Sequence, residues 1–448
     1  MKPSICFYFQ VHQPYRLRDV RIHDIGEMDA ETYFDEDKNR AIFRKVAEKC
    51  YLPANALMLK LIKKYPEFHI SYSLSGVFLD QCKAYGPDVL ESFKKLAKTG
   101  NVEFLCETYY HSLSSLSSTE EFCTQVQKHA DAIETIFGVR PQIFRNTELI
   151  YSNELAHIVR QLGFKGMLAE GADHVLHDRS PNVPYVPPVF RLPRESEAII
   201  RKYRIHPTSE RSIKILLKNY KLSDDVAFRF SDRSWVGFPL HSDTFTHWLT
   251  SSGGHSINLF MDYETFGEHQ WADTGIFSFL EALPKQWKQE GIEAKTPSEV
   301  LSSWGKKPCD TLDVHTPMSW ADCERDLSAW RGNNLQEAMF KRLYDLEKLV
   351  RVAEDPLLTE TWRKLQTSDH FYYLCTKYWS DGDVHKYFSP YDSPYEAYRR
   401  LSHVIEDLRM KLEDRVETIK IPVVPEESRE ASRAISTKKK PKTNQLIN

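Results

Sequence analysis

The sequence predicts an α/β protein: a parallel sheet wound with helices, followed by a run of helices. Three observations carry this. Strand-like and helix-like segments alternate over about the first 170 residues, the pattern of βαβ units in a barrel or a doubly wound sheet. The first strand-like segment is apolar on both faces, as a buried strand of a parallel sheet is. Beyond Ser319 the apolar spacing becomes helical throughout.

The elements follow in order. Residues 4–12 read as a strand, with Ile5, Phe7, Phe9 and Val11 on one face and Cys6, Tyr8, Gln10 and His12 on the other. Residues 40–64 are helix-rich, with Pro53 expected to interrupt them. A strand over 68–75, a helix over 88–98 stopped by Gly100, and a strand over 102–110 come next. Ser118 and Glu121 have the spacing of a capping box and open a helix that runs to Gly138. Strand 142–150, helix 153–162 and strand 165–169 complete the alternation. From 173 to 255 the pattern loosens, and prolines at 181, 184, 187, 188 and 193 mark an ordered excursion. Residues 257–261 form a compact apolar strand and 276–289 a helix; 334–354, 356–379 and 395–416 read as the later helices. Residues 425–448 lack apolar periodicity and carry Lys438, Lys439 and Lys440, so they read as a flexible, basic, solvated tail.

Composition narrows the function. The chain has 448 residues, 41% hydrophobic and 27% charged, which excludes global disorder. Its formal net charge of −3 gives no general attraction to nucleic acid or to an anionic membrane. No apolar stretch approaches 18 residues, so no membrane span is expected. The N-terminal apolar segment ends at His12-Gln13-Pro14, unlike a cleavable signal. Eight cysteines without a C-x-x-C pair fit a reducing, cytoplasmic setting. The 22 Tyr, 24 Phe and 9 Trp supply flat apolar faces of the kind a neutral, ring-shaped ligand stacks on.

Polar residues gather where strands are predicted to end: His12; Glu107 and His111; Glu148; Asp262 and Glu264. In α/β barrels the reacting groups come from the C-terminal ends of several strands. Taken singly, each has an ordinary structural reading, such as a hydrogen-bonded histidine, a loop ion pair or a helix cap. Taken together they suggest two-carboxylate chemistry.

Five stretches then carry a resemblance: His12-Gln13-Pro14; Gly100 to Leu113; Phe144-Arg145-Asn146-Thr147-Glu148; Met261-Asp262-Tyr263-Glu264-Thr265-Phe266-Gly267; and Leu365 to Tyr373. In their order and context the sequence resembles glycoside hydrolase family 57 over about residues 5–420, and most closely its α-amylase members. The resemblance implies a distorted (β/α)7 barrel over 1–318 and a C-terminal helical domain over 319–424 that helps close the cleft. It implies a retaining mechanism on α-glucans with neither metal nor organic cofactor, Glu148 as nucleophile and Asp262 as general acid/base.

Sugar binding calls for hydrogen-bonding polar groups and flat faces, so His12, Glu107 and His111 are expected to bond hydroxyls. Trp271, Trp320, His370 and Tyr372 are expected to stack on or border the glucan, and Asp369 lies with His370 in the fifth stretch. Glu264 would face the same way as Asp262 if the strand persists, and its charge would raise the Asp262 pKa. Arg145 is three residues from Glu148, so strand alternation sets it on the opposite face.

Three other readings are kept. A 4-α-glucanotransferase or branching enzyme would share the covalent intermediate. A metal-dependent hydrolase would suit the 17 His, although no H-E-x-x-H occurs. A glucan-binding protein on a retired enzyme fold would be expected to lack a carboxylate that this chain keeps.

Overall fold

The computed structural model describes residues 2–207, 212–377 and 384–420. The predicted tail at 425–448 and the end of the predicted 356–379 helix lie outside the described residues.

The strands are β1 (Ser4–Val11), β2 (Ile70–Leu74), β3 (Val102–Phe104), β4 (Ile143–Arg145), β5 (Gly166–Glu170), β6 (Tyr185–Val186), β7 (Lys214–Lys218), β8 (Ser256–Asp262) and β9 (Asp310–Thr311). One sheet runs β3-β2-β1-β8 and the other β4-β5-β7-β6-β9. A parallel bridge between Cys106 and Phe144 joins them on one side. On the other, the Asn219 amide donates to the Asn258 carbonyl at 2.9 Å, and the Asn258 side chain to Leu217 at 2.8 Å. Seven parallel strands thus close a distorted (β/α)7 barrel, with β6 and β9 appended to the flank of β7.

Alternation along each strand sorts its side chains. From β1, Phe7 and Phe9 point outward into an aromatic layer with Tyr72, Tyr263, Phe266 and Trp287. Cys6 and Tyr8 point inward to a core shared with Leu105, Ile143, Leu168, Leu216 and Phe260. One step further along, the inward positions turn polar: Gln10, Glu107, Arg145, Glu170, Lys218 and Asp262. The register pairs Gln10 with Asp262 and Glu170 with Lys218, so this polar layer caps the apolar one at the C-terminal ends of the strands.

Several boundaries differ from the sequence expectation. Pro53 does not break the first helical stretch, because it stands in the first turn of Leu52–Lys64, where its missing N–H is not needed. That helix joins Glu36–Val46 through a π-turn, Ala47–Tyr51. The third strand is shorter, β4 stops at Arg145, and a 3₁₀ turn, Thr147–Leu149, follows it. The stretch 173–255 is more than an excursion: it holds β7 and the helices Arg194–Lys202, Tyr220–Ala227 and Ser242–Ser251.

The C-terminal region is helical, as expected, but 334–354 divides at Leu346, and 356–379 divides at Gln366-Thr367 into Pro356–Leu365 and Ser368–Tyr372. These helices and Pro394–Lys420 build a second apolar core, centred on Trp330, Leu343, Trp362 and Leu408. Tyr15, Leu17, Tyr33, Tyr109 and Tyr110 from the barrel side enter it too, so the helical region packs onto the mouth of the barrel.

Gly267 marks how tightly the loop after β8 is set. Its φ is +115°, and a Cβ there would meet the Lys49 carbonyl oxygen at 2.0 Å. Gly267→Ala is expected to cost about 2–4 kcal/mol. Urea denaturation measures it, and a loss under about 0.5 kcal/mol would show that the loop is not held as described.

Candidate active site

The polar layer opens into a cavity of about 470 Å³ at the C-terminal ends of the strands. His12, His111, Glu148, Asp262, Glu264, Trp320, Asp369 and Tyr372 all line it.

The site is built around His111, which sits beyond β3 in left-handed backbone (φ +50°). Its Nδ1 bonds Glu107 Oε2 at 2.8 Å, and its Nε2 bonds Glu148 Oε1 at 3.2 Å. Burial alone would lower the His111 pKa, but its bonds to Glu107 and then Glu148 raise it to about 9. The ring is therefore an imidazolium that donates from both nitrogens. Burial pushes Glu107 up, yet the His111 bond and charge prevail and bring it down to about 2. Glu107 is fully buried and does not reach the cavity. Its second oxygen accepts from Gln10 Nε2 at 3.1 Å.

Glu148 occupies the 3₁₀ turn after β4 with φ +57°, an unfavourable conformation for a residue with a Cβ. That turn carries its carboxylate over the barrel mouth. Oε1 also accepts from Ser368 Oγ at 3.1 Å, and Oε2 from Trp320 Nε1 at 2.7 Å. Burial raises the Glu148 pKa, but the bond and charge of His111, followed by Arg145, more than offset it and leave it below the ordinary glutamate value. Alternation does not separate Arg145 from Glu148, because the strand ends at Arg145. The fully buried Arg145 acts through its charge and makes no hydrogen bond to Glu148.

Asp262 ends β8 within the same cavity. Burial, then the charge of Glu148, raises its pKa to about 6. Glu148, and not Glu264, is the neighbouring charge that raises it most. The strand stops at Asp262, and the following turn hands Glu264 to the Tyr51 hydroxyl, which donates to it. Burial, then Asp262, lifts Glu264 to about 8, far above the ordinary glutamate value.

His12 stacks on His111 with ring centroids 4.0 Å apart. Burial and the neighbouring His111 hold its pKa below the ordinary value. A neutral ring accepts at Nδ1 from Ser75 Oγ at 2.7 Å and donates from Nε2 to Asp369 at 3.0 Å. Burial raises Asp369, but its pairing with His12, followed by the charge of His111, brings it well below the usual range.

Besides Glu107, two predicted residues stand apart from the cavity. Trp271 does not line the cavity: it is 58% exposed, with Lys49 Nζ 5.2 Å from its ring. His370 is buried behind Asp369, and burial lowers its pKa to about 4. Tyr372 lines the cavity and stacks on His385 at 4.3 Å.

The sequence reading missed the far wall. Lys218, at the end of β7, lies 3.0 Å from Asp224 and 3.8 Å from Glu170; Arg325 reaches Glu170 at 3.0 Å and Asp224 at 3.4 Å. Arg325 also donates to the Trp320 carbonyl at 2.8 Å. Ser368 was within reach of sequence reasoning, since it adjoins Asp369 in the fifth stretch. Among the described residues, no group of three or more His, Cys, Asp or Glu could hold a metal ion.

A barrel whose strand ends set two carboxylates of opposed proton affinity around one cavity has the architecture of a glycosidase. Comparison with known proteins gives the family. The model of "Glycosyl hydrolase family 57" matches residues 6–315. The chain is 42% identical over 422 residues to the "Putative alpha-amylase" of Methanocaldococcus jannaschii, covering 92% of this chain and 85% of that one. It superposes on the family 57 branching enzyme of Pyrococcus horikoshii with a TM-score of 0.62 at 16% identity, over 93% of this chain and 95% of that one. With the 4-alpha-glucanotransferase of Thermococcus litoralis the TM-score is 0.59 at 16% identity, over 83% of this chain and 56% of that one. The chain belongs to glycosyl hydrolase family 57.

The His111 cation gives a stability signature. Its pKa is raised, so its contribution is complete below the ordinary histidine value of 6.5 and is lost as pH rises through about 9. Glu107 is depressed, so its contribution is complete above 4.5 and is lost as pH falls through about 2. His111→Ala is expected to lower stability by about 3 kcal/mol, most between pH 4.5 and 6.5. Denaturant midpoints of both proteins from pH 3 to 9 measure it, and a pH-independent difference would contradict the imidazolium.

Proposed function

We propose that the protein is a retaining glycosidase that cleaves α-1,4-glucosidic bonds in α-glucans such as starch, glycogen or maltodextrin. The observation that carries this reading is the opposed pair on one cavity: Glu148 held below the ordinary carboxylate range and Asp262 lifted to about 6. In the first step Glu148 attacks the anomeric carbon, and Asp262 gives its proton to the departing glycosidic oxygen. The glycosyl–Glu148 ester forms as the glycosidic bond breaks. In the second step Asp262 takes a proton from water, the water oxygen bonds to the anomeric carbon, and Glu148 leaves as carboxylate. Two inversions give net retention.

The substrate class is supported by what the relatives are named for: an amylase, a branching enzyme and a glucanotransferase. In this reading Asp369 bonds the ring in the reacting position and Tyr372 borders it, while His12 and His111, whose ring nitrogens are taken by Ser75, Asp369, Glu107 and Glu148, line the pocket and orient the carboxylates they bond. Residues 1–318 act as the catalytic barrel and 319–424 as the domain closing the cleft. Cytoplasmic placement fits the eight cysteines, between which the described residues form no disulfide. No helix among the described residues is long and apolar enough to cross a membrane.

Maltoheptaose separates hydrolysis from transfer. Only shorter products are expected; longer products beside shorter ones would make the chain a transferase. Glu148→Gln is expected to abolish turnover in a folded protein, and wild-type rates with deamidation excluded would remove it from this role.

The pH profile of kcat/KM should be a bell. Its acidic limb follows ionisation of Glu148, below the ordinary glutamate value. Its alkaline limb follows loss of the Asp262 proton, with activity halved near pH 6. In Asp262→Asn the alkaline limb should vanish. The rate on glucan should fall by on the order of 10²–10⁴, and azide should restore turnover of an α-maltosyl fluoride with retained α configuration. Rescue in Glu264→Gln instead would exchange the two roles.

A further inference from the structure

We propose that Trp320 is a positioning residue for the Glu148 carboxylate, not a stacking platform for sugar, and that Arg145 and Lys218 hold its ring to that task. The proposal rests on the role given to Glu148 above.

Trp320 grips Glu148 twice. Its indole N–H donates to Oε2 at 2.7 Å, and its backbone N–H donates to the Glu148 carbonyl at 3.1 Å. Two residues earlier, Met318 and Tyr151 exchange backbone bonds of 2.9 and 3.0 Å, so the segment leading to Trp320 is paired with the loop that carries Glu148. With His111 and Ser368 on Oε1, both oxygens of Glu148 have donors and the plane of the carboxylate is fixed.

Trp320 lines the cavity, and two cations lie against its ring: Arg145 Cζ at 4.9 Å and Lys218 Nζ at 5.3 Å from the ring centroid. Arg145 is fully buried, and none of its three guanidinium nitrogens has a hydrogen-bond partner among the described residues. A buried guanidinium without a hydrogen-bond acceptor is costly, and here the neighbour its face meets is the indole of Trp320. A cation over the ring draws electron density from it and strengthens the N–H as a donor. Arg325, through the Trp320 carbonyl, ties the same residue to Glu170 and Asp224.

Trp320→Phe separates the two roles, because it keeps a flat apolar ring and removes the N–H. Positioning predicts a fall in kcat on maltoheptaose of roughly 10–100-fold with KM changed less than about threefold. The acidic limb of the pH profile should move up, since a carboxylate that loses a donor holds its proton more tightly. Trp320→Ala should lose kcat to a similar extent. Stacking predicts the reverse: Phe near wild type, and Ala raising KM. A wild-type kcat in Trp320→Phe, or an unmoved acidic limb, would overturn the proposal.

A spectrum independent of turnover keeps this failure distinct from failure of the Glu148 assignment. In the full chain labelled with ¹⁵N-tryptophan, the indole resonance that disappears in Trp320→Phe should shift in Glu148→Gln whatever Glu148 does in catalysis. No shift would overturn the contact itself. A shift with full activity in Glu148→Gln would refute the nucleophile and with it the positioning role.

Discussion

The rest of the site depends on one buried proton arrangement, the His111 imidazolium between Glu107 and Glu148. Two carboxylates facing one another inside a barrel would repel and take up protons. A cation donating to both removes the repulsion and satisfies an oxygen of each. Glu107 has no access to the cavity, so its contribution is electrical: it keeps His111 charged. That charge keeps Glu148 ionised, and an ionised Glu148 helps to keep the proton on Asp262. The opposed affinities of Glu148 and Asp262 are thus one chain of cause running across β3, β4 and β8.

The surrounding layers serve this chain. His12, packed flat on His111, stays neutral because a second cation there would meet the first. Asp369 takes its proton donor from His12, so a second carboxylate is kept ionised on the helical side of the cavity. Below, an apolar interior of Tyr8, Phe260, Leu168 and Leu216 lowers the dielectric response and strengthens each of these interactions. The cost is strain: both His111 and Glu148 stand in left-handed backbone, tolerated because their side chains are bound on several sides.

Much of the fold is legible in the sequence, for reasons that differ by element. β1 and β8 are apolar on both faces and short, so they read as buried parallel strands. The helix Asn153–Leu162 is bracketed by Ser152 and Gly163, which set its ends. The helix Gly76–Tyr85 is not legible, because it is short and buried on most sides: Val77, Phe78, Leu79, Gln81 and Cys82 are all buried, so polar and apolar residues do not sort onto opposite faces. β7 is hidden by lysines at both ends, and Lys218 with it. The polar strand ends His12, Glu107, Glu148 and Asp262 could be picked out by residue type. Their electrical relations could not, because these depend on where a strand stops. β4 ends at Arg145 and β8 at Asp262, and each stop turns the next carboxylate in a direction that alternation does not foresee. Trp271 and His370 show the same limit: an aromatic in a suggestive stretch carries no information about which way it faces.

The pairing of Met318 with Tyr151, and of Ser368 with His111 and Glu148, has a consequence for synthesis. Glu148 and Asp262 both lie in the first 262 residues, yet donors to Glu148 arrive at Trp320 and Ser368. A chain emerging from the ribosome can close its seven strands well before those residues exist. During that interval Glu148 has only His111 to direct it, and the barrel mouth has no helical cover. Until the residues after Ser319 are in place, the barrel alone therefore does not hold the Glu148 carboxylate as the finished protein holds it.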